Sequence, residues 1–189
     1  MDEIIERIMN DPLNKDYTER GIKPILQVSP EAKILIIGQA PGAKAEANQT
    51  PFLDASGTKL KDWMGIGDTI FYGKEIAILP MDFYFPGKGK TGDLPPRKGM
   101  VRYHEEFIKQ MPDIKLTILI GAYSNKYYLN KRMKKNLTET VRCAHEYLPY
   151  YPIVHPSPLN ARWQKKNPWF LEKNVPELRR LVAEALENS

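Results

Sequence analysis

Two short stretches hold residue types that could do chemistry. "GQAPG" (38–42) follows the apolar run "KILII" and sets two glycines and a proline within five positions. Gly38, Pro41 and Gly42 predict a tight, rigid turn that presents backbone N–H groups to a ligand. Fixed N–H donors suit an oxygen whose negative charge grows during a reaction. The same residues also read as a plain strand-to-helix turn. "HPSPLN" (155–160) follows the run "YPIV" and surrounds one histidine with two prolines and a serine. Taken alone, His155 reads as a satisfied histidine at a strand end. The first stretch lacks the Gly-Lys-Ser/Thr ending of a P-loop and the G-x-G-x-x-G spacing of a dinucleotide-binding turn.

The elements around these stretches alternate. Residues 1–28 read as one or two helices with Ile4, Ile5 and Ile8 on one face. Strands are expected at 33–38, 75–80, 115–121 and 151–157, as short apolar runs ended by glycine or proline. Helices are expected at 56–66, 97–111, 122–131, 138–146 and 175–188. In the first of these Ser56 would cap, Leu60, Trp63 and Met64 would share a face, and Gly65 would stop the helix. Residues 83–99, "FYFPGKGKTGDLPPRKG", contain too many glycines and prolines for a regular element and read as a long loop. This order implies the α/β class: three layers, α/β/α, around a central, mostly parallel four-stranded sheet. In such sheets ligands sit beyond the carboxyl ends of the strands. Gly38, the long loop, Gly121 and His155 all fall at those ends, so the unusual residues gather on one edge.

Length and composition bound the rest. A chain of 189 residues is expected to be one domain, 1–189, with 42% apolar and 27% charged residues in the ordinary globular range. No apolar run approaches the roughly 20 residues that span a bilayer, so no membrane partner is expected. The N-terminus, "MDEIIERIMNDPLN", is acidic and amphipathic, unlike a signal or transit peptide, and a cytoplasmic location is expected. The single cysteine, Cys143, excludes an internal disulfide and any self-contained thiolate metal cluster. Three histidines without a His-x-x-x-His pair argue against a transition metal, and no cofactor is expected. A net charge of +5 favours a polyanionic partner only weakly.

Taken together, "GQAPG" and "HPSPLN" resemble the first and second motifs of the uracil-DNA glycosylase superfamily, in the family's order and spacing. The phenylalanine of "PFLDASG" (51–57) falls where that family places an aromatic that stacks on a flipped base. The resemblance spans roughly residues 30–170. It implies an enzyme that extrudes a damaged nucleotide from DNA and hydrolyses its N-glycosidic bond, with uracil or a related base as leaving group. Cleavage proceeds through an oxocarbenium-like sugar while negative charge moves onto the base. By that resemblance the backbone around Gln39 and Ala40, with the side chain of His155, would hold the charge, and Phe52 would stack. Pro156, Ser157 and Pro158 would grip backbone phosphate, and Leu159 would wedge into the vacated stack. Arg162, Lys165 and Lys166 would track phosphates.

Each of these has a plainer reading. Phe52 and Leu159 also fit a core, Ser157 a helix cap, the basic residues a solvated face, and Trp163 and Trp169 simple packing.

The chain departs from the family pattern in three places. Ala40 stands where the most active branch has a water-positioning aspartate. Asp54 is the substitute candidate, although it also reads as the cap of the 56–66 helix. "GQAPG" is closest to a branch that carries an iron–sulfur cluster, which one cysteine cannot ligate, so a cluster-free, divergent member is implied. No asparagine ends the second strand to read the base. Asp82 is the candidate there and would favour a donor group over the uracil O4, with Asn125 as the fallback. The alternative to an enzyme is a non-catalytic nucleic-acid or base-binding protein of the same fold. An unrelated phosphate-ester hydrolase explains the glycine turns but not "HPSPLN".

Overall fold

In a computed structural model that describes residues 1–187, the chain forms six strands: β1 (Ile34–Ile37), β2 (Ile76–Ile78), β3 (Lys88–Gly89), β4 (Gly92–Asp93), β5 (Leu116–Ile120) and β6 (Tyr150–Ile153). Four of them make one sheet in the order β2-β1-β5-β6, and every pairing in it is parallel. Ile36 lies between Ile78 and Ile118, and Ile120 faces Ile153. The helices are α1 (Asp2–Asn10), α2 (Lys15–Glu19), α3 (Ala43–Asn48), α4 (Ala55–Met64), α5 (Asp68–Phe71), α6 (His104–Lys109), α7 (Gly121–Leu129), α8 (Leu137–Arg142), α9 (Ala161–Lys166) and α10 (Val175–Leu186).

The central strands are apolar at consecutive positions, apart from Thr117 of β5, because both of their faces are covered. Ile34 and Ile36 of β1 enter a core with Leu60, Trp63 and Met64 of α4 and Leu178 and Val182 of α10. Leu35 and Ile37 enter a second core with Ile4 and Ile8 of α1 and Phe107 of α6. Period-two alternation thus divides β1 between two helical layers. The expected three-layer α/β/α arrangement is present, with the sheet parallel throughout. Among the described residues no helix is long and apolar enough to cross a membrane.

Three expectations are corrected. The 83–99 loop is not wholly irregular, since Lys88–Gly89 and Gly92–Asp93 pair as a small antiparallel hairpin, β3–β4. The helix expected at 97–111 begins with a 3-10 turn at Val101–Tyr103 and is regular only over His104–Lys109, because Gly99, at φ 105°, interrupts the segment. Asp54, not Ser56, caps α4, its Oδ1 accepting from the Gly57 amide at 3.2 Å. Gly65 ends that helix in the left-handed region, φ 71°, as expected. The last helix stops at Leu186, and residue 188 of the expected range lies outside the described residues.

One buried histidine braces the sheet edge beside the site. His104 Nε2 lies 2.8 Å from the Pro80 carbonyl, and Nδ1 lies 2.7 Å from the Tyr128 hydroxyl. A carbonyl only accepts, so Nε2 carries the proton and Nδ1 accepts from the tyrosine. Burial pushes the pKa of His104 down to about 4, slightly offset by that carbonyl. The unfolded chain therefore binds a proton that the folded one does not between about pH 6.5 and pH 4, and stability falls as pH drops through that window. At about 1.4 kcal/mol per pH unit, the stability advantage of the wild type over His104→Asn is expected to narrow by about 2 kcal/mol between pH 7 and pH 5. Urea unfolding of both proteins at the two pH values measures it.

Candidate functional site

Because all four main strands run the same way, the segments that follow them emerge on one edge. There they enclose a cavity of about 210 Å³. The 38–42 turn, Phe52, Asp54, His155 and Ser157 line it together, with Pro80 from the end of β2 and Asp93 from the hairpin. Residues from both motif stretches and from "PFLDASG" therefore meet in one place.

The 38–42 turn is held by carbonyls. Met81 N–H donates to the Gly38 carbonyl at 2.9 Å, and Asp82 N–H donates to the Gln39 carbonyl at 3.1 Å. The Gln39 and Ala40 N–H groups take no part in that pairing. Gly42 then opens α3 with an extended φ of −86°.

Phe52 is fixed from four sides. Its backbone sits in the left-handed region, φ 58°, which costs a non-glycine residue energy unless its surroundings impose it. The Tyr72 hydroxyl donates to the carbonyls of Pro51 at 2.8 Å and Phe52 at 3.2 Å. Gly57 presses on the same carbonyl, and a Cβ at position 57 would lie 1.8 Å from the Phe52 oxygen. The ring meets Phe71 edge-on, with centroids 6.0 Å apart, while a Cβ on Gly38 would lie 3.3 Å from its Cζ. Glycine at 38 and 57 thus sets where the phenyl ring lies.

His155 is partly buried, and its Nδ1 is buried with no hydrogen-bond partner among the described residues. Burial lowers its pKa, opposed first by the charge of Asp54 and then by that of Asp93. The ring is therefore neutral near pH 7. Its carbonyl accepts from Asn160 Nδ2 at 2.6 Å, which ties the start of the 155–160 loop to its end. Ser157 Oγ accepts from the Leu159 amide at 3.1 Å, capping a 3-10 turn at Pro158–Asn160. The cap reading of Ser157 therefore holds, although the residue also lines the cavity. Pro156 is buried, Pro158 is exposed, and Leu159 is 86% exposed, too open to be a core residue. Arg162, Lys165 and Lys166 lie exposed on the following α9. That helix is anchored from beneath by Trp163, whose Nε1 donates to Thr138 Oγ1 at 2.9 Å and whose ring packs on Trp169 and Phe170.

Asp82 is not in the cavity wall. Its fully buried carboxylate pairs with Arg97, Nε to Oδ2 at 2.9 Å and a second guanidinium nitrogen to Oδ1 at 3.0 Å. It also accepts from the amides of Arg97 at 2.9 Å and Tyr84 at 3.1 Å. The remaining guanidinium donors reach the Leu13 carbonyl and Asn14 Oδ1, both at 2.8 Å, and the group lies over the rings of Tyr17 and Tyr84. This is a clasp that closes the base of the 83–99 loop, and it leaves no oxygen of Asp82 for a ligand's edge. Asn125 is off the cavity too, buried on α7 and donating to the carbonyls of Gly121 at 2.7 Å and Leu119 at 3.2 Å.

Asp93 is the cavity residue that sequence reasoning missed. It sits in the two-residue strand β4, exposed, and its carboxylate has no ion pair or hydrogen bond among the described residues. Its Oδ2 lies 3.7 Å from where a Gly42 Cβ would be, which places the carboxylate beside the 38–42 turn. The signal was "GKTG", a glycine-bracketed reversal just before the aspartate, with Gly92 at φ 131°. The residues present do not fit an iron–sulfur cluster. Cys143 is the only cysteine of the chain, and among the described residues no three acidic, histidine or cysteine groups are arranged to hold a metal.

The family model described as the uracil DNA glycosylase superfamily matches residues 26–179, which include every strand, the whole cavity wall except Ile25, and the 155–160 loop. With its parallel sheet and a match over most of its length, the chain belongs to the uracil DNA glycosylase superfamily.

Proposed function

We propose that the protein is a monofunctional DNA glycosylase that flips a uracil or related damaged base into the cavity and hydrolyses its N-glycosidic bond. The observation that carries this reading is the convergence of the 38–42 turn, Phe52 and His155 on one cavity, with an unpartnered His155 nitrogen.

The flipped base stacks on Phe52. As the glycosidic bond breaks, its electron pair moves onto the base, and the growing negative charge meets the Gln39 and Ala40 amides and neutral His155. A water molecule attacks the sugar carbon and passes its proton to a carboxylate, leaving an abasic site. Two carboxylates, Asp54 and Asp93, stand at the exposed rim, where the sugar of a flipped nucleotide would lie. Asp54 has one oxygen committed to capping α4, so it acts as a fixed charge beside the cationic sugar. Asp93, free of partners, takes the water. Ser157 and its flanking prolines meet phosphate, Leu159 fills the gap left in the stack, and Arg162, Lys165 and Lys166 extend the contact along the backbone. No cofactor enters these steps.

The test uses oligonucleotides containing uracil, hypoxanthine or xanthine, single-stranded and duplex, with alkali to reveal abasic sites. Strand breaks are expected for at least one base. Asp54→Asn and Asp93→Asn, run side by side, apportion the carboxylate roles: loss of the water-holding one slows release by about 10²-fold or more. Leu159→Ala is expected to leave stability within about 0.5 kcal/mol, because the side chain is exposed, while slowing release from duplex more than from single strands. Salt-sensitive DNA binding without release of any base would favour the non-catalytic binding protein instead.

A further inference from the structure

A second concavity, of about 330 Å³, is lined by Met81, by the end of the 83–99 loop and by α7. The two share a wall: Pro80 faces the cavity and Met81 the groove, while Asp93 faces the cavity and Pro96 the groove. Pro80 and Met81 are neighbours in the chain, with Cα atoms about 3.8 Å apart, so the two concavities adjoin at the end of β2.

The groove's chemistry is of one kind. Tyr123 and Tyr127, 43% and 52% exposed, stand one turn apart on α7 and so share a face. Tyr128 backs the Tyr127 ring edge-on, with centroids 5.1 Å apart. Lys98 and Lys126 flank them, both exposed and without an ion pair among the described residues. Arg97 also lines the groove but is neutralised by Asp82, and among the described residues no carboxylate lines it. Exposed aromatic faces beside unpaired cations form a platform for stacked bases with phosphates alongside. A protein partner would gain from the tyrosines but would need acidic residues for the lysines. A DNA strand supplies both at once.

We infer that this groove is a single-stranded DNA subsite, in which Tyr123 and Tyr127 stack a base flanking the flipped nucleotide and Lys98 and Lys126 hold its phosphates. The inference rests on the proposed function in one respect, that the first cavity takes the flipped nucleotide. It makes the wall between the two concavities a ridge over which the strand bends.

The experiment measures binding of the full chain to labelled single-stranded oligonucleotides that carry a tetrahydrofuran abasic analogue, extended by none to six nucleotides on either the 5′ or the 3′ side. Extension on one side is expected to tighten binding, and the paired change Tyr123→Ala with Tyr127→Ala is expected to abolish that gain, about tenfold or more. Lys98→Ala and Lys126→Ala are each expected to lower the slope of log affinity against log salt by roughly 0.7. All four side chains are exposed, so melting temperatures are expected to stay unchanged. A gain that survives the paired tyrosine change, or no length dependence on either side, overturns the subsite. So does a dimer in sedimentation that Tyr127→Ala dissociates, which would show a second copy covering this face. Base release by the wild type is scored separately. Release without the length effect overturns the subsite alone, the length effect without release overturns the glycosylase reading alone, and the absence of both overturns both.

Discussion

His155→Ala is expected to slow base release by about 10²–10³-fold, the effect of removing one donor from a preorganised charge-stabilising site. The expectation follows from the state of the ring. Burial keeps it neutral, with one ring nitrogen carrying a proton to donate to a developing anion, and among the described residues no group pairs with Nδ1. Asn160 fixes the backbone at 155, so the ring reaches the cavity without a search through loop conformations. The loss is expected in kcat, with affinity for abasic product DNA changed less than threefold, because that product has no base to stabilise. His155→Asn, which keeps a donor at shorter reach, is expected to recover part of the rate. Single-turnover release kinetics with product binding by anisotropy measure both. Wild-type rates in His155→Ala would remove the ring from the chemistry.

Asp82→Ala is expected to produce the largest loss of stability, about 3–4 kcal/mol. Breaking a buried ion pair by removing one partner costs about 3–5 kcal/mol, and the low end applies because the Arg97 side chain keeps 28% of its exposure. Two backbone amides, at Tyr84 and Arg97, also lose their acceptor. For a chain of this size each kcal/mol moves the melting temperature by about 2–4 °C, so a fall of roughly 6–16 °C is expected by calorimetry. Asp82→Ala with Arg97→Ala is expected to be less destabilised than the sum of the single changes, since neither charge is then left alone. Base release should fall with the clasp, because the hairpin bearing Asp93 is tethered through Arg97. A melting temperature within 2 °C of wild type would show that the clasp contributes little.

The fate of Asp82 and Asp93 marks the limit of what the sequence discloses. The sheet was legible because "KILII", "EIAIL" and "KLTILI" are apolar at successive positions and end in glycine or proline, which is a local property. The edge where the ligand would sit was legible for the same reason, since parallel strands deliver their following segments together. The partner of Asp82 was not, because it lies fifteen residues away across a loop and also involves Leu13 and Asn14 from the N-terminal segment. Nothing local distinguishes an aspartate that reads a ligand from one that clasps a loop. Asp93 was hidden by scale, as a two-residue strand leaves almost no periodicity to detect. The left-handed backbone at Phe52 was hidden too, because no composition rule assigns that conformation to phenylalanine.

That conformation constrains any redesign of the pocket. Gly57 admits no side chain while the Phe52 carbonyl stays where it is, and Tyr72 holds that carbonyl in place. Residues 52–57 therefore behave as a single cast part: the ring at 52 can be exchanged for another side chain, but the segment cannot be lengthened, shortened or given a Cβ at 57 without displacing the ring. A library meant to change which base this protein accepts should vary position 52 and the hairpin opposite, and leave the glycine untouched.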